Sequence, residues 1–332
     1  MSFVLNLILA NIFLLVLAGV ALRYGRAGGT RLVDKWNGVL TKTIPSGCLR
    51  LVRRWFGEAA AKKLASIYKY VVHERNPLTM ILYLVVSIGG YITFVLSGYP
   101  FLTEGYHKEC GFVLFCASLW FFTKAAADDP GIITKANHAK QYEKYPFDGL
   151  VFKRDVVCRT CGFAQPARAK HCRYCDLHVS RFDHHCIWIN QCVGGGNVKS
   201  FLMFLLSNNV MCLYGGYLGI NILISITQDE DLSNVWFRDS VTGLRFQSTP
   251  YYIAVYISKK YMALTYVTIF ALLMGLLLLA FTYYHWVVLL KDGLTSNEES
   301  KIADLPDNSR ARFLETYSKR SWWANLVHIF TS

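Results

Sequence analysis

The chain has 332 residues, 53% of them hydrophobic and 15% aromatic, with mean hydropathy +0.28. Ordinary soluble domains hold roughly 45–50% apolar residues with glycine counted, so a single soluble globule is excluded. A net charge of +13 would suggest nucleic acid for a soluble protein. In a membrane protein it marks cytosolic loops rich in Lys and Arg, and nucleic acid is not an expected partner.

A bilayer crossing takes about 20 apolar residues. In chain order, five runs qualify: Phe3–Leu22, Leu78–Leu96, Gly111–Ala127, Phe201–Ile226 and Ala263–Leu290. The first could be a secretory signal, but Met1–Asn6 carries no basic residue while Arg23, Arg26 and Arg31 follow the run. That charge order suits an anchor with its N-terminus outside. Between the runs, Arg23 to Arg75 holds twelve Lys and Arg against three Asp and Glu, and Lys124 to Lys199 holds another twelve Lys and Arg. Gly98–Glu109 has one Lys and two Glu, and Thr227–Tyr261 has four basic and four acidic residues. The positive-inside rule then places the two basic loops in the cytosol.

The expected fold is an all-α polytopic membrane protein with five transmembrane helices and a small two-zinc cysteine-rich domain between the third and fourth. The first span covers 1–22 with a lumenal N-terminus, followed by a basic cytosolic loop, 23–77. The second and third spans lie in 78–127, and a second cytosolic loop, 128–200, carries the cysteine-rich domain at about 156–201. The fourth and fifth spans lie in 201–290 around a lumenal loop, 227–262, and a cytosolic tail takes up 291–332. In the first loop, Leu51, Trp55, Phe56, Ala59 and Leu64 alternate with Arg53, Arg54, Lys62 and Lys63. This pattern fits a helix on an anionic membrane face or a solvated linker helix. His285, within the fifth run, reads as a packed or near-interface histidine.

Six of the ten cysteines crowd between Cys158 and Cys192, while Cys48, Cys110, Cys116 and Cys212 are scattered. Such crowding suits metal binding in a reducing compartment better than a disulfide scaffold. The segment contains two Cys-x2-Cys pairs, Cys158/Cys161 and Cys172/Cys175, and adds His171, His178, His184 and His185. That makes ten candidate ligands in 35 residues, and two closed tetrahedral zinc sites would use eight. A zinc-bound thiolate is quenched, whereas a nucleophile must be unligated and activated. Asp183-His184-His185-Cys186 supplies the parts: Cys186 as nucleophile, His184 to take its proton, Asp183 to orient His184.

The segment resembles the cysteine-rich domain of the DHHC protein S-acyltransferases (palmitoyltransferases). The resemblance runs C-x2-C-x4-P-x-R-x2-HC-x2-C-x2-H-x4-DHHC-x5-C-x4-N-x3-F across 44 residues ending at Asn197 and Phe201. Asp129-Pro130-Gly131 is similar to the family's DPG motif, and Thr295-Ser296-Asn297-Glu298 to its TTxE motif. Asn325 and Phe330 resemble its C-terminal motif. The resemblance implies one zinc on Cys158, Cys161, His171 and His178, and a second on Cys172, Cys175, His185 and Cys192. His178 stands where the family usually has Cys, which makes the first site Cys2His2. Ile187 replaces a common Pro and Ser296 the second Thr, while Lys319 and Ser321 stand where the C-terminal motif has Asp and Gly.

The implied activity is protein S-acylation in two steps. Acyl-CoA, with palmitoyl-CoA as the model donor, would acylate Cys186. The acyl group would then pass to a cysteine of a membrane or membrane-associated protein. Five-span members of the endoplasmic-reticulum/Golgi branch look similar. Arg168, Lys170, Arg173 and Arg181 are candidates for the CoA phosphates. A catalytically silent zinc scaffold, a RING-type ubiquitin ligase and a transporter are the rival classes. The unligated Cys186 and His184 argue against the first two, and the scarcity of ionisable groups in the spans argues against the third.

Overall fold

The computed structural model describes residues 44–238, 243–318 and 321–331. The expected first span, Phe3–Leu22, and Lys319 lie outside these residues. The described chain runs α1 (Ile44–His73), α2 (Leu78–Ser97), α3 (Tyr106–Ala127), β1 (Ile132–Ile133), α4 (His138–Tyr142), β2 (Lys170–Cys172) and β3 (Leu177–Val179). It continues with β4 (His184–Cys186), β5 (Gln191–Val193), α5 (Val198–Asp229), β6 (Trp236–Arg238), β7 (Arg245–Gln247) and α6 (Pro250–Lys260). It ends with α7 (Met262–Lys291), α8 (Ser296–Ile302), α9 (Asp307–Tyr317) and α10 (Trp322–Thr331).

Four described helices are long and apolar enough to cross a bilayer, as a multi-pass membrane protein requires: α2 with the short turn to Phe101, α3, α5 and α7. Their ends follow local chemistry. The Asn76 side chain accepts the Leu78 N–H at 3.2 Å at the start of α2. Asp128-Asp129-Pro130 stops α3, since proline cannot extend a helix. α1 is interrupted at Gly57, whose φ is 83°, and Trp55 and Phe56 beside it are exposed.

The chain divides into two compact units. One comprises Leu84–Phe121 and Met203–Tyr283. Within it α5 and α7 approach closely through small residues. A Cβ on Gly219 would collide with Thr268, and one on Gly275 would come within 2.7 Å of Leu213. Backbones that approach this closely gain van der Waals contact where lipid gives helices no hydrophobic reason to associate. The buried Asn209 amide donates to Gly275 O at 2.7 Å, which satisfies a polar group that hydrocarbon could not. Ile222, Ile226, Leu232, Ile257 and Leu264 form this unit's core.

The other unit comprises Phe122–Leu202, Tyr284–Ser332 and the described part of Asn11–Tyr83. Its core joins Phe152 and Ala167 to Leu294, Ile302, Phe313 and Tyr317 of the C-terminal tail. Here the all-α expectation is corrected. β1, β3 and β2 form a three-stranded antiparallel sheet, and β4–β5 is a separate hairpin. In β2–β3, His171 stands opposite His178, and in β4–β5, His185 stands opposite Cys192. Both pairs are seven residues apart in sequence. A helix would separate them by about 10 Å along its axis, whereas opposed hairpin residues have Cβ atoms about 4.5–5.5 Å apart. Only the hairpin lets each pair share an ion.

Candidate functional site

Each hairpin supplies two ligands to one cluster, and each Cys-x2-Cys knuckle supplies two more. Cys158, Cys161, His171 and His178 converge in one place, and Cys172, Cys175, His185 and Cys192 in another. His171 and Cys172 are neighbours on β2 and so point to opposite faces. One strand thereby serves both clusters.

The spacing within each cluster fits zinc. With Zn–S of about 2.3 Å and Zn–N of about 2.0–2.1 Å, tetrahedral neighbours lie roughly 3.3–3.8 Å apart. In the first cluster, His171 Nδ1 and His178 Nδ1 both lie 3.3 Å from Cys161 Sγ. In the second, His185 Nδ1 lies 3.7 Å from Cys172 Sγ, 3.3 Å from Cys175 Sγ and 3.7 Å from Cys192 Sγ, and the last two sulfurs are 3.6 Å apart. His171 Nε2 meets Asp176 Oδ1 at 3.2 Å, an outer contact of the kind that aims a ligating imidazole. His178 fits differently. Its Nε2 is buried with no hydrogen-bond partner, and its ring packs 5.1 Å from that of Phe163.

Cys186 and His184 belong to neither cluster. The alternation of β4 explains why. His185 faces the second cluster, so His184 and Cys186, one residue to either side, share the opposite face. There the His184 Nδ1–H donates to Asp183 Oδ2 at 2.5 Å. Asp183 also accepts the Ser296 N–H at 2.5 Å and the Ser296 hydroxyl at 2.8 Å. Burial acts to raise the Asp183 carboxyl. The hydrogen bond and charge of His184, with the Ser296 N–H, outweigh it and hold the group well below the usual carboxylate range. Burial likewise acts to lower His184, but its hydrogen bonds with Asp183 and Cys186 win and push it up to about 10. The arrangement can therefore hold a proton at His184 taken from Cys186.

The flanking motifs fix this hairpin from three sides. Asp129 Oδ1 accepts the Gly131 and Ile132 N–H groups, each at 2.8 Å. The turn so formed packs Pro130 against the Gly194–Gly196 stretch. A Cβ on Gly196 would collide with Asp129 O, so only glycine admits that backbone contact. Asn197 is fully buried. Its Oδ1 accepts the Gly194 N–H at 3.0 Å and its Nδ2 donates to Cys192 O at 3.0 Å and to Ala125 O at 3.2 Å. Thr295 and Glu298 form a capping box at the start of α8. The Thr295 hydroxyl also donates to Phe182 O at 3.1 Å. Asn325 is buried and donates to Lys291 O at 3.4 Å.

The family model described as DHHC palmitoyltransferase matches residues 151–303. Residues 151–303 belong to the DHHC palmitoyltransferase family. It is 30% identical to a Mus musculus protein named palmitoyltransferase ZDHHC4, over 64% of this chain and 63% of that one. It is 32% identical to palmitoyltransferase swf1 of Emericella nidulans, over 80% of this chain and 63% of that one. A second swf1, from Schizosaccharomyces pombe, is 29% identical over 82% of this chain and 73% of its own length. The chain thus spans just under two thirds of the mouse and Emericella relatives.

Two of the four cations expected on CoA phosphates in this DHHC chain are corrected by their burial. Arg168 and Arg181 are each 3% exposed. Arg168 makes a paired contact with Glu298, Nε to Oε1 at 2.6 Å and Nη2 to Oε2 at 2.5 Å, and lies over the rings of Tyr145 and Tyr317. Burial acts against its charge, but Glu298 outweighs this and raises the guanidinium. Arg181 donates to Gly293 O at 3.2 Å. Both arginines hold the tail to the cysteine-rich segment. Lys170 and Arg173 are exposed. Lys170 donates to Asn297 Oδ1 at 2.8 Å.

Three contributors, Lys301, Thr79 and Arg75, went unread in the sequence, and His285 was read there only as a packed or near-interface histidine. Lys301 is exposed and close enough to Lys170 for the two charges to be felt. Thr79 donates to Ile187 O at 2.6 Å and Arg75 to Asn190 O at 3.0 Å, which fixes the turn after Cys186. These bonds end on backbone carbonyls more than a hundred residues away and leave no local sequence signal. His285 is 4% exposed and lies beside Asp183 and His184.

Proposed function

We propose that this chain is a protein S-acyltransferase that moves a long-chain fatty acyl group from acyl-CoA to Cys186 and then to cysteines of membrane-associated proteins. The single observation that carries this reading is that His184 and Cys186 share one face of β4, with Asp183 bonded to His184, outside both ligand clusters. When bound, zinc at the two clusters supplies structural bracing: it fixes the hairpin whose other face carries the chemistry.

In the first step the Cys186 thiol gives its proton to His184. The sulfur attacks the thioester carbonyl, the new carbon–sulfur bond replaces the one to CoA, and the CoA thiolate leaves with the proton from His184. In the second step His184 takes the proton of a substrate thiol, whose sulfur attacks the Cys186 thioester, and Cys186 recovers its proton. Each step exchanges one thioester for another. Asp183 keeps the His184 Nδ1–H donated to itself, which leaves the other ring nitrogen for the sulfur.

Lys170 and Arg173, with Lys301 added, are the exposed cations suited to the CoA phosphates. The two basic loops favour a cytosolic active side, a lumenal N-terminus and five spans. An acyl chain gains about 0.8 kcal/mol per buried CH₂, which favours targets whose cysteines lie near a membrane. An endoplasmic-reticulum or Golgi membrane is the compartment we assign. The test is incubation with labelled palmitoyl-CoA. Hydroxylamine-sensitive label on the wild-type chain and none on Cys186→Ser is the expected result. Equal labelling of both would sink the assignment of Cys186.

A further inference from the structure

We propose that His285 is a positioning residue for this reaction, holding the His184 imidazole in the orientation that serves Cys186. The proposal rests on the S-acyltransferase reading above and extends it to a residue a hundred positions from the hairpin.

Three rings close on one another here. The ring of His184 lies 5.3 Å from that of Phe201 at an interplanar angle of 70°, and 5.6 Å from that of His285 at 40°. Phe201 and His285 are in turn 5.5 Å apart at 83°. These separations are those of packed aromatic pairs. His184 thus has one edge tied to Asp183 and two sides occupied by rings. Rotation about its Cβ–Cγ bond would drive the imidazole into Phe201 or His285. Of these two, Phe201 lies at the start of α5, four residues after Asn197, and is 1% exposed. His285 comes from α7, is 4% exposed, and is followed in the chain by the segment that returns to the hairpin.

That segment reaches Phe182 and Asp183 directly. Ten residues on, Thr295 bonds the backbone of Phe182, and Ser296 bonds the Asp183 carboxylate with both its N–H and its hydroxyl. His285 Nδ1 itself lies 4.0 Å from Asp183 Oδ2. This is beyond hydrogen-bond reach but close enough for the ring dipole to be felt at low dielectric. One stretch of chain therefore fixes both the carboxylate and the free side of the base. Misplacing a reacting group by an ångström can cost about a hundredfold in rate, and a base is held to that tolerance by the residues packed around it.

The full-length protein in detergent or nanodiscs tests this with two variants and two readouts. The first readout is single-turnover acylation of Cys186 by labelled palmitoyl-CoA. The second is alkylation of Cys186 by iodoacetamide, followed by peptide mass spectrometry, which needs no acyl donor. His285→Ala is expected to slow acylation by about ten- to a hundredfold, with the acyl-CoA concentration for half-maximal rate and the zinc content unchanged. His285→Phe, which keeps a ring, should return most of the rate. Acylation of His285→Ala at the wild-type rate overturns the proposal, and so does an effect confined to the half-maximal concentration. If His285→Ala loses zinc, His285→Phe decides. With zinc retained, a rate near wild type supports the proposal and a rate as slow as that expected for His285→Ala overturns it. Absence of label on wild-type Cys186 would fail the S-acyltransferase reading instead. The alkylation rates would then still decide about His285: slower alkylation in His285→Ala than in wild type supports it, and equal rates overturn it.

Discussion

The two hairpins of the cysteine-rich segment place a histidine and then a cysteine on their first strand in the same register. In β2 these are His171 and Cys172; in β4 they are His185 and Cys186. The histidine faces its opposite partner in both and joins that partner in a cluster. The cysteines part company. Cys172 has Cys175 three residues on and becomes a ligand of the second cluster. Cys186 is followed by Ile187, Trp188 and Ile189, with no second thiol to form a knuckle. Two residues before it stands His184, where β2 has Lys170. On the function proposed for this chain, a nucleophile would arise here from the ligand architecture by removing one partner cysteine and adding one base on the same strand face.

The sharpest way to break the comparison is the same change at both equivalent cysteines. Cys172→Ser removes a ligand of the second cluster. Structural zinc in small domains carries about 10–16 kcal/mol of apparent binding energy, so the variant should lose that zinc and unfold the segment. Metal analysis and limited proteolysis report this. Cys186→Ser should keep about two zinc per chain and wild-type protease resistance. If Cys186→Ser lost zinc as Cys172→Ser does, Cys186 would be a ligand and the contrast would fail.

A smaller effect is expected at Glu298, which is fully buried and paired with Arg168. Glu298→Ala leaves a buried guanidinium unpaired, which costs about 3–5 kcal/mol. It also removes half of the capping box that starts α8, from which Ser296 reaches Asp183. The hairpins respond differently: the β4 face should lose acylation while the zinc count stays at about two per chain. Thermal unfolding with metal analysis checks both halves.

His184→Asn removes the base and leaves the metal ligands alone. Acylation should fall by about 10²–10⁴-fold, the usual contribution of a positioned base, with the melting temperature near wild type. Single-turnover labelling measures it. The corresponding change on the other hairpin, Lys170→Asn, should leave the intrinsic rate intact and at most weaken acyl-CoA binding.

How far the sequence disclosed this site depends on distance along the chain. The ligand knuckles, the unspent Cys186 and His184 and the four described spans follow from local spacing and composition. Thr295 and Glu298 carry the spacing of a capping box, a local signal, though only the family motif marked them. The short strands escaped because three residues are too few for period-two alternation to stand out. Arg168 and Arg181 were misread for a different reason. Arginine is mostly exposed, and the carboxylate that allows Arg168 to be buried lies 130 residues away. His285 sits in an apolar run, where nothing nearby announces a partner a hundred residues upstream.

The finest distinction between the hairpins concerns His178 and Cys192, the second-strand partners of His171 and His185. His178 makes the first cluster Cys2His2, formally neutral with zinc, and Cys192 makes the second Cys3His with a net charge of −1. Thus His178→Cys would give both hairpins the same donor set. Two local changes oppose each other. The substitution removes Nε2, which is buried without a partner, and relieves a desolvation cost of about 1–3 kcal/mol. It also replaces a ring packed against Phe163 by a smaller thiol and opens space that costs a comparable amount. The reach changes too, since the sulfur lies nearer the backbone than Nδ1 and β3 would have to move toward the ion. The net shift in stability should stay within about 1 kcal/mol, with about two zinc per chain retained and acylation unchanged. Thermal unfolding and metal analysis of the variant decide. Loss of the first zinc would mean that the strand spacing around His178 is set for an imidazole and that the two hairpins are not interchangeable.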